Sequence, residues 1–186
     1  MGWPQGSEVL KCAPFAHVVA LDSRETVCDG CMRLASEDDV DKFKKCSGCK
    51  AVFYCRITCQ KTAWSTYHRD ECQSLRKVSP KIPTDTVRLM ARIIFKLKQG
   101  GLKTFANLPN GTKRYFEDLM THRTEIVKDE NRIEAFMSFF AVLQDYMLSD
   151  LPPKTDVLDI FGRVVTNTFN IMNDDYQSIG KYNKKR

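Results

Sequence analysis

The second half of this chain carries a helical rhythm that the first half lacks. In TDTVRLMARIIFKLKQGG, residues 84–101, Val87, Met90, Ile94 and Leu97 fall on one stripe at helical spacing. Thr84 or Asp85 stands before the stripe as a cap, and Lys96 and Lys98 sit where the helix dipole favours cations. Gly100-Gly101 then stops the helix. Residues 101–112 read as a loop and residues 113–127 as a shorter helix. Asn131 and Glu134 have capping-box spacing ahead of an apolar face made by Ile133, Phe136, Met137, Phe140 and Leu143. Leu151-Pro152-Pro153 breaks the chain, and Val157, Phe161, Val164, Val165 and Phe169 mark one more helix. These stripes read as core, with no cofactor needed to explain their Met and Phe content.

Residues 28–45 show no such rhythm. They are rich in charge (SEDDVDKFKK) and can bury little, so oil alone does not hold them. No apolar run approaches the roughly 18 residues of a membrane helix, and the N-terminus lacks a basic region followed by an apolar stretch. The 186 residues, 42% hydrophobic and 28% charged, have an ordinary globular balance. Eight cysteines without an export signal point to a reducing compartment, nuclear or cytoplasmic, and to metal ligation in place of disulfides.

Seven of those cysteines and one histidine form four close pairs: Cys28 with Cys31, Cys46 with Cys49, Cys55 with Cys59, and His68 with Cys72. The first two pairs are C-x2-C knuckles with Gly30 and Gly48 inside, where a turn calls for positive φ. The last two have i, i+4 spacing, which sets both side chains on one helix face. Seven thiolates and an imidazole complete two tetrahedral shells, and the donor set suits zinc. Both shells are filled by protein, so the metal is expected to be structural. Cys12 lies outside the pattern and reads as a small apolar side chain.

The string Phe53-Tyr54-Cys55-x3-Cys59-Gln60-x3-Trp64, followed by His68-x3-Cys72, resembles a MYND zinc finger. The resemblance implies interleaved sites, with Cys28, Cys31, Cys55 and Cys59 on one zinc and Cys46, Cys49, His68 and Cys72 on the other. It also implies binding of a protein partner, such as a proline-containing peptide or a chromatin-associated protein, near Phe53, Tyr54 and Trp64. One departure stands out. Three residues, Ser65-Thr66-Tyr67, separate the Trp from the His where the family has two. The extra residue is expected in a turn before His68, and it loosens the expected Trp64–His68 packing.

Finger, then PTDTVRLMARIIFKL, then LPPKTDVLDIFGRVVTNTFNI, is similar to the front half of the SMYD family of lysine methyltransferases, whose SET domain is split by a MYND finger and a helical insert. The resemblance implies a mostly α chain with a small zinc-stabilised module. Residues 1–27 are a partial SET strand region, with a strand pair in GSEVLKCAPFAHVVAL. Residues 28–72 are the finger, 84–172 the helical insert and 173–186 a polar tail. His122 and Asn167 resemble cofactor contacts of that family. The sequence contains no G-x-G loop and no Asn-His pair of the kind those enzymes use for S-adenosylmethionine. The expectation is therefore a zinc-held interaction module with no catalytic or cofactor-binding residue of its own, S-adenosylmethionine belonging only to a longer enzyme.

Between Lys42 and Lys81, ten basic residues face two acidic ones, which raises a third reading as a nucleic-acid finger. Metal-bound thiolates change that balance. Residues 28–81 carry eleven basic and seven acidic side chains, and seven thiolates with two dications remove three more charges. A segment near neutrality ranks protein above nucleic acid as the partner.

Overall fold

The computed structural model describes Pro4, Ser7 and residues 13–36, 43–108, 111–147, 151–173 and 177–183. Strand β1, Ala16–Val19, leads into the knuckle region, where β2 (Lys44–Lys45) and β3 (Phe53–Tyr54) form a short hairpin. Helix α1, Ile57–Ala63, continues through a π-helical stretch, Trp64–His68, into α2, Arg69–Val78. After a cis Ser79–Pro80 peptide comes α3, Asp85–Lys98. The hairpin β4 (Phe105–Asn107) and β5 (Lys113–Tyr115) precedes α4 (Arg123–Lys128), α5 (Glu130–Tyr146) and α6 (Lys154–Asn167). Strands β6 (Thr168–Met172) and β7 (Ser178–Asn183) then join β1 in an antiparallel sheet of order β1-β7-β6.

Several expectations change here. Residues 101–112 contain strand β4, because Gly111 at φ 81 lets the chain reverse and pair Phe105 with Tyr115. The helix expected from residue 113 begins only at Arg123. Asp129, not Asn131, caps α5, its side chain accepting from the Arg132 amide at 3.1 Å. Met137 and Val165, assigned to apolar faces, are exposed, and Phe169 belongs to β6. Of the expected N-terminal strand pair, β1 is the second member; the first member and Cys12 lie outside the described residues. The partner of β1 is β7, so part of the expected polar tail is a sheet strand. The segment SIGKYN lacks the strict apolar–polar alternation of a half-buried strand, so nothing local predicts that pairing.

Helix α3 is the central element, buried from Val87 to Phe95 on nearly every face and not along one stripe. Arg88, Arg92 and Lys96 repeat every four positions, and each reaches β1 or the residue just before it. Arg88 Nη1 donates to the Val19 carbonyl at 3.4 Å, Arg92 Nη1 to His17 at 2.7 Å, and Lys96 Nζ to Phe15 at 2.7 Å. Four helical residues rise about 6 Å, close to the span of two strand residues. A helix and a strand running in opposite directions can therefore stay in step over three contacts.

On the other side, α6 packs tightly on the segment before α4. Arg123 makes two bonds to the Asp159 carboxylate, at 2.7 and 2.6 Å, and Arg163 Nε donates to the Leu119 carbonyl at 3.0 Å. Gly162 sits between them, where any Cβ would collide with the Thr121 carbonyl oxygen. Gly162→Ala is expected to destabilise the chain by about 1–3 kcal/mol through overpacking, read as a lower urea midpoint. An unchanged midpoint would show that this helix contact is not tight.

Candidate metal centre

Each knuckle closes the same way. The Met32 amide donates to the Cys28 carbonyl and the Lys50 amide to the Cys46 carbonyl, both at 2.9 Å. Positive φ falls on the residue after the second cysteine, at Met32 (60°) and Lys50 (58°), and not on Gly30 or Gly48 as expected. The glycines serve close approach instead. A Cβ on Gly30 would lie 2.9 Å from Cys59 Cβ, and one on Gly48 would lie 2.9 Å from Cys72 Sγ. Cys55 precedes α1, with Arg56 extended between, so Cys55 and Cys59 do not share a helix face. The kink at Arg56 nevertheless brings their sulfurs to 3.6 Å. His68 and Cys72 do follow helical spacing, from the π stretch into α2.

These pairs assemble into two quartets. Cys28, Cys31, Cys55 and Cys59 form one, Cys46, Cys49, His68 and Cys72 the other, with the ligand atoms of each within 4.8 Å of one another. In the first, Cys31 and Cys55 sulfurs are 3.7 Å apart, and the Cys55 amide donates to Cys28 Sγ at 3.3 Å. In the second, Cys46 and Cys72 sulfurs are 3.8 Å apart, and His68 Nε2 is 3.7 Å from Cys49 Sγ. A tetrahedron with ~2.3 Å zinc–sulfur arms has edges of ~3.8 Å, so these spacings fit one zinc ion per quartet. The second quartet is wholly buried, while in the first Cys31 is exposed and Cys55 and Cys59 are half-buried.

The extra residue before His68 makes no turn. It is taken up by the π-helical stretch, which widens the helix by one residue without breaking it. Trp64 consequently still packs on His68, ring centres 6.0 Å apart at 65°, and Tyr54 meets His68 from another side at 5.9 Å. The stretch also turns Tyr67 inward, where its hydroxyl donates to the Asp29 carbonyl at 2.5 Å.

Behind the second quartet lies a charge cluster that the apolar-stripe reading of α3 missed. Glu71, fully buried, holds Arg88 through Nε at 3.0 Å and Arg92 through Nε at 3.0 Å. Arg92 Nη2 also reaches both Asp29 oxygens, at 2.9 and 2.8 Å, and its guanidinium lies 4.3 Å over the Tyr67 ring. Two carboxylates and two guanidiniums make the cluster neutral. Burial alone would raise the Glu71 pKa; Arg88 and Arg92 outweigh it and hold the carboxyl well below its ordinary range. Glu71 Oε2 is 3.6 Å from His68 Nδ1, the position from which a carboxylate orients a metal-bound imidazole. The available signal was Arg88 and Arg92, four apart inside an apolar run, with Glu71 wedged between two ligands.

His122 and Asn167 occupy separate helix ends. His122 precedes α4 at φ 49°, and the Asn167 amide turns back onto its own helix, donating to the Arg163 carbonyl at 3.0 Å. On the finger surface, Ile57, Gln60, Lys61 and Trp64 line a shallow groove of about 270 Å³. Ile57 is 61% exposed and Trp64 46%, whereas Tyr54 is buried as packing around the ligands.

Paired knuckles interleaved over two quartets define a zinc finger of the MYND type, and residues 28–72 match the family model described as MYND finger. Over most of its length the chain is similar to lysine methyltransferases of the SMYD kind. Over 183 residues it is 33% identical to the human (Homo sapiens) histone-lysine N-methyltransferase SMYD3, covering 94% of this chain and 39% of that protein. It is 32% identical over 136 residues to histone-lysine N-methyltransferase ASHR1 of Arabidopsis thaliana, covering 72% and 27% of the two chains. Identity to N-lysine methyltransferase SMYD2-B of Danio rerio is 26% over 179 residues, covering 94% and 38%. The chain thus spans about two fifths of the length of the first of these relatives.

Glu71→Gln leaves two buried guanidiniums short of a carboxylate and is expected to cost about 3–5 kcal/mol in urea unfolding. Loss of the His68 contact should also weaken zinc affinity by about 10–100-fold in competition with a chromogenic chelator. Wild-type values in both measurements would remove the cluster from its assigned role.

Proposed function

We propose that this chain is a zinc-structured protein-interaction module, with zinc held by Cys28, Cys31, Cys55 and Cys59 at one site and by Cys46, Cys49, His68 and Cys72 at the other. The observation that carries the reading is the pair of compact quartets with tetrahedral edge lengths. Bound zinc supplies structure, with no open position for a substrate. A structural zinc contributes about 10–16 kcal/mol in small peptides, which adds to the burial of Phe43, Val52, Tyr54 and Ala63 in ordering residues 28–72. Native mass spectrometry of the intact chain should find two zinc ions, and a strong chelator should unfold residues 28–72 before the helical region. Fewer than two ions in undamaged protein would overturn the assignment.

The groove of Ile57, Gln60, Lys61 and Trp64 is the part of this module suited to a partner. Trp64 is fixed on one side by His68 and open on the other. A proline-containing segment fits that chemistry: its rings stack on indole, and its extended backbone leaves carbonyls free for the Gln60 amide and Lys61 ammonium. Trp64→Ala should weaken a captured proline-rich peptide by about 2 kcal/mol, roughly thirtyfold, in isothermal titration. Equal binding by the variant would place the partner elsewhere. A chromatin-associated protein in the nucleus, or a cytoplasmic partner, is consistent with this reading.

A second reading is favoured by the 33% identity over nearly the whole chain to a histone-lysine N-methyltransferase. On that reading these residues are the front segment of an S-adenosylmethionine-dependent lysine methyltransferase, residues 84–172 its helical insert and residues 1–27 part of its SET region. The sequence has no G-x-G or Asn-His element of its own, so the 186-residue chain is expected to bind no S-adenosylmethionine in equilibrium dialysis. Stoichiometric binding would make the enzymatic reading the better one.

A further inference from the structure

The two quartets differ in ways that set them apart chemically. In the first, Cys31 is exposed and Cys55 and Cys59 half-buried; in the second, all four ligands are buried. Four thiolates around a dication carry a net charge of about −2, whereas three thiolates and a neutral imidazole carry about −1. The first site therefore holds the more electron-rich sulfurs, and it is the one that solvent reaches. The second is backed by the Glu71 carboxylate and the two arginines of α3.

We propose that the Cys28/Cys31/Cys55/Cys59 site is an oxidant-sensitive latch, and that peroxide converts Cys31 and Cys55 to a disulfide with loss of that zinc alone. This rests on the zinc occupancy proposed above. The Cys31 thiolate, as the exposed member, attacks one oxygen of hydrogen peroxide. Its sulfur is oxidised to sulfenic acid and the other oxygen leaves as hydroxide, taking a proton from solvent. The Cys55 thiolate, 3.7 Å away, then displaces the sulfenic hydroxyl, which departs as water with a second proton, and the S–S bond forms. Two thiolates, one peroxide and two protons give one disulfide and two waters. The ion, left with two of its four ligands, dissociates.

The position of this site determines what its opening changes. Cys55 lies two residues before α1, Cys59 lies within α1, and the same short helix carries Ile57, Gln60 and Lys61, with Trp64 just beyond. Releasing the ion frees the start of α1. The far end of the helical run stays pinned by His68, Cys72 and Glu71 to the second quartet and to α3. Oxidation thus alters the peptide groove while leaving the core of the chain in place.

The test uses the intact, zinc-loaded chain treated with hydrogen peroxide, with zinc counted by native mass spectrometry and modified cysteines mapped by peptide mass spectrometry. One zinc should leave at least an order of magnitude faster than the other, together with a Cys31–Cys55 disulfide, and thiol reductant with added zinc should restore both. Cys31→Ser, if it retains two ions, should slow release of the first zinc. A variant that holds only one ion is replaced by the wild-type mapping, which decides alone. Simultaneous loss of both ions, or first modification at Cys46, Cys49 or Cys72, overturns the proposal. A starting protein with fewer than two zinc ions would count against the occupancy itself, a failure visible before any peroxide is added.

Discussion

Two arginines and two carboxylates, shut away from water behind a cysteine-rich finger, are the constraint on which the rest of this fold depends. Asp29 comes from the first knuckle, Glu71 from α2, and Arg88 and Arg92 from α3, so the cluster joins the finger to the helical region. Each charge alone would be costly to bury, and together they are neutral. Replacing such a cluster with packed apolar side chains can be as stable, so its value lies in the single geometry it permits. Arg92 satisfies Asp29, Glu71, the His17 carbonyl and the Tyr67 ring face at once, and only one docking of finger on helix meets all four.

The same helix carries that geometry onward. Arg88, Arg92 and Lys96 hold β1 in register along α3, and β1 holds β7, which in turn pairs with β6 after α6. A chain of polar contacts therefore runs from the second quartet through α3 to the sheet. The first quartet meets this chain through Asp29, which lies between Cys28 and Cys31, and is otherwise tied to β3 and to α1. The second site is thus wholly buried in the scaffold, while the first lies nearer solvent.

The π-helical stretch shows how an irregular length can be put to use. One added residue between Trp64 and His68 would rotate an ordinary helix by about 100° and turn one of the two rings away. Widening the helix locally keeps both rings in contact and turns Tyr67 toward Asp29 and Arg92. The departure from family spacing thus adds a contact between finger and helix.

Sequence by itself determined the paired ligands, because short-range spacing of Cys and His is written directly in the chain, and it determined the helices whose apolar spacing is local. The loop expected at residues 101–112 and the tail expected after residue 172 give way to β4 and β7, strands defined by pairing with β5 and with the remote β1. Only the tertiary structure decided how Glu71 meets Arg88 and Arg92, why Gly30 and Gly48 must be small, and which quartet faces water. Each of these depends on side chains many residues apart converging in a low-dielectric interior. There, the energy of a charge or a missing methyl is set by its neighbours in space and not by its neighbours in the chain.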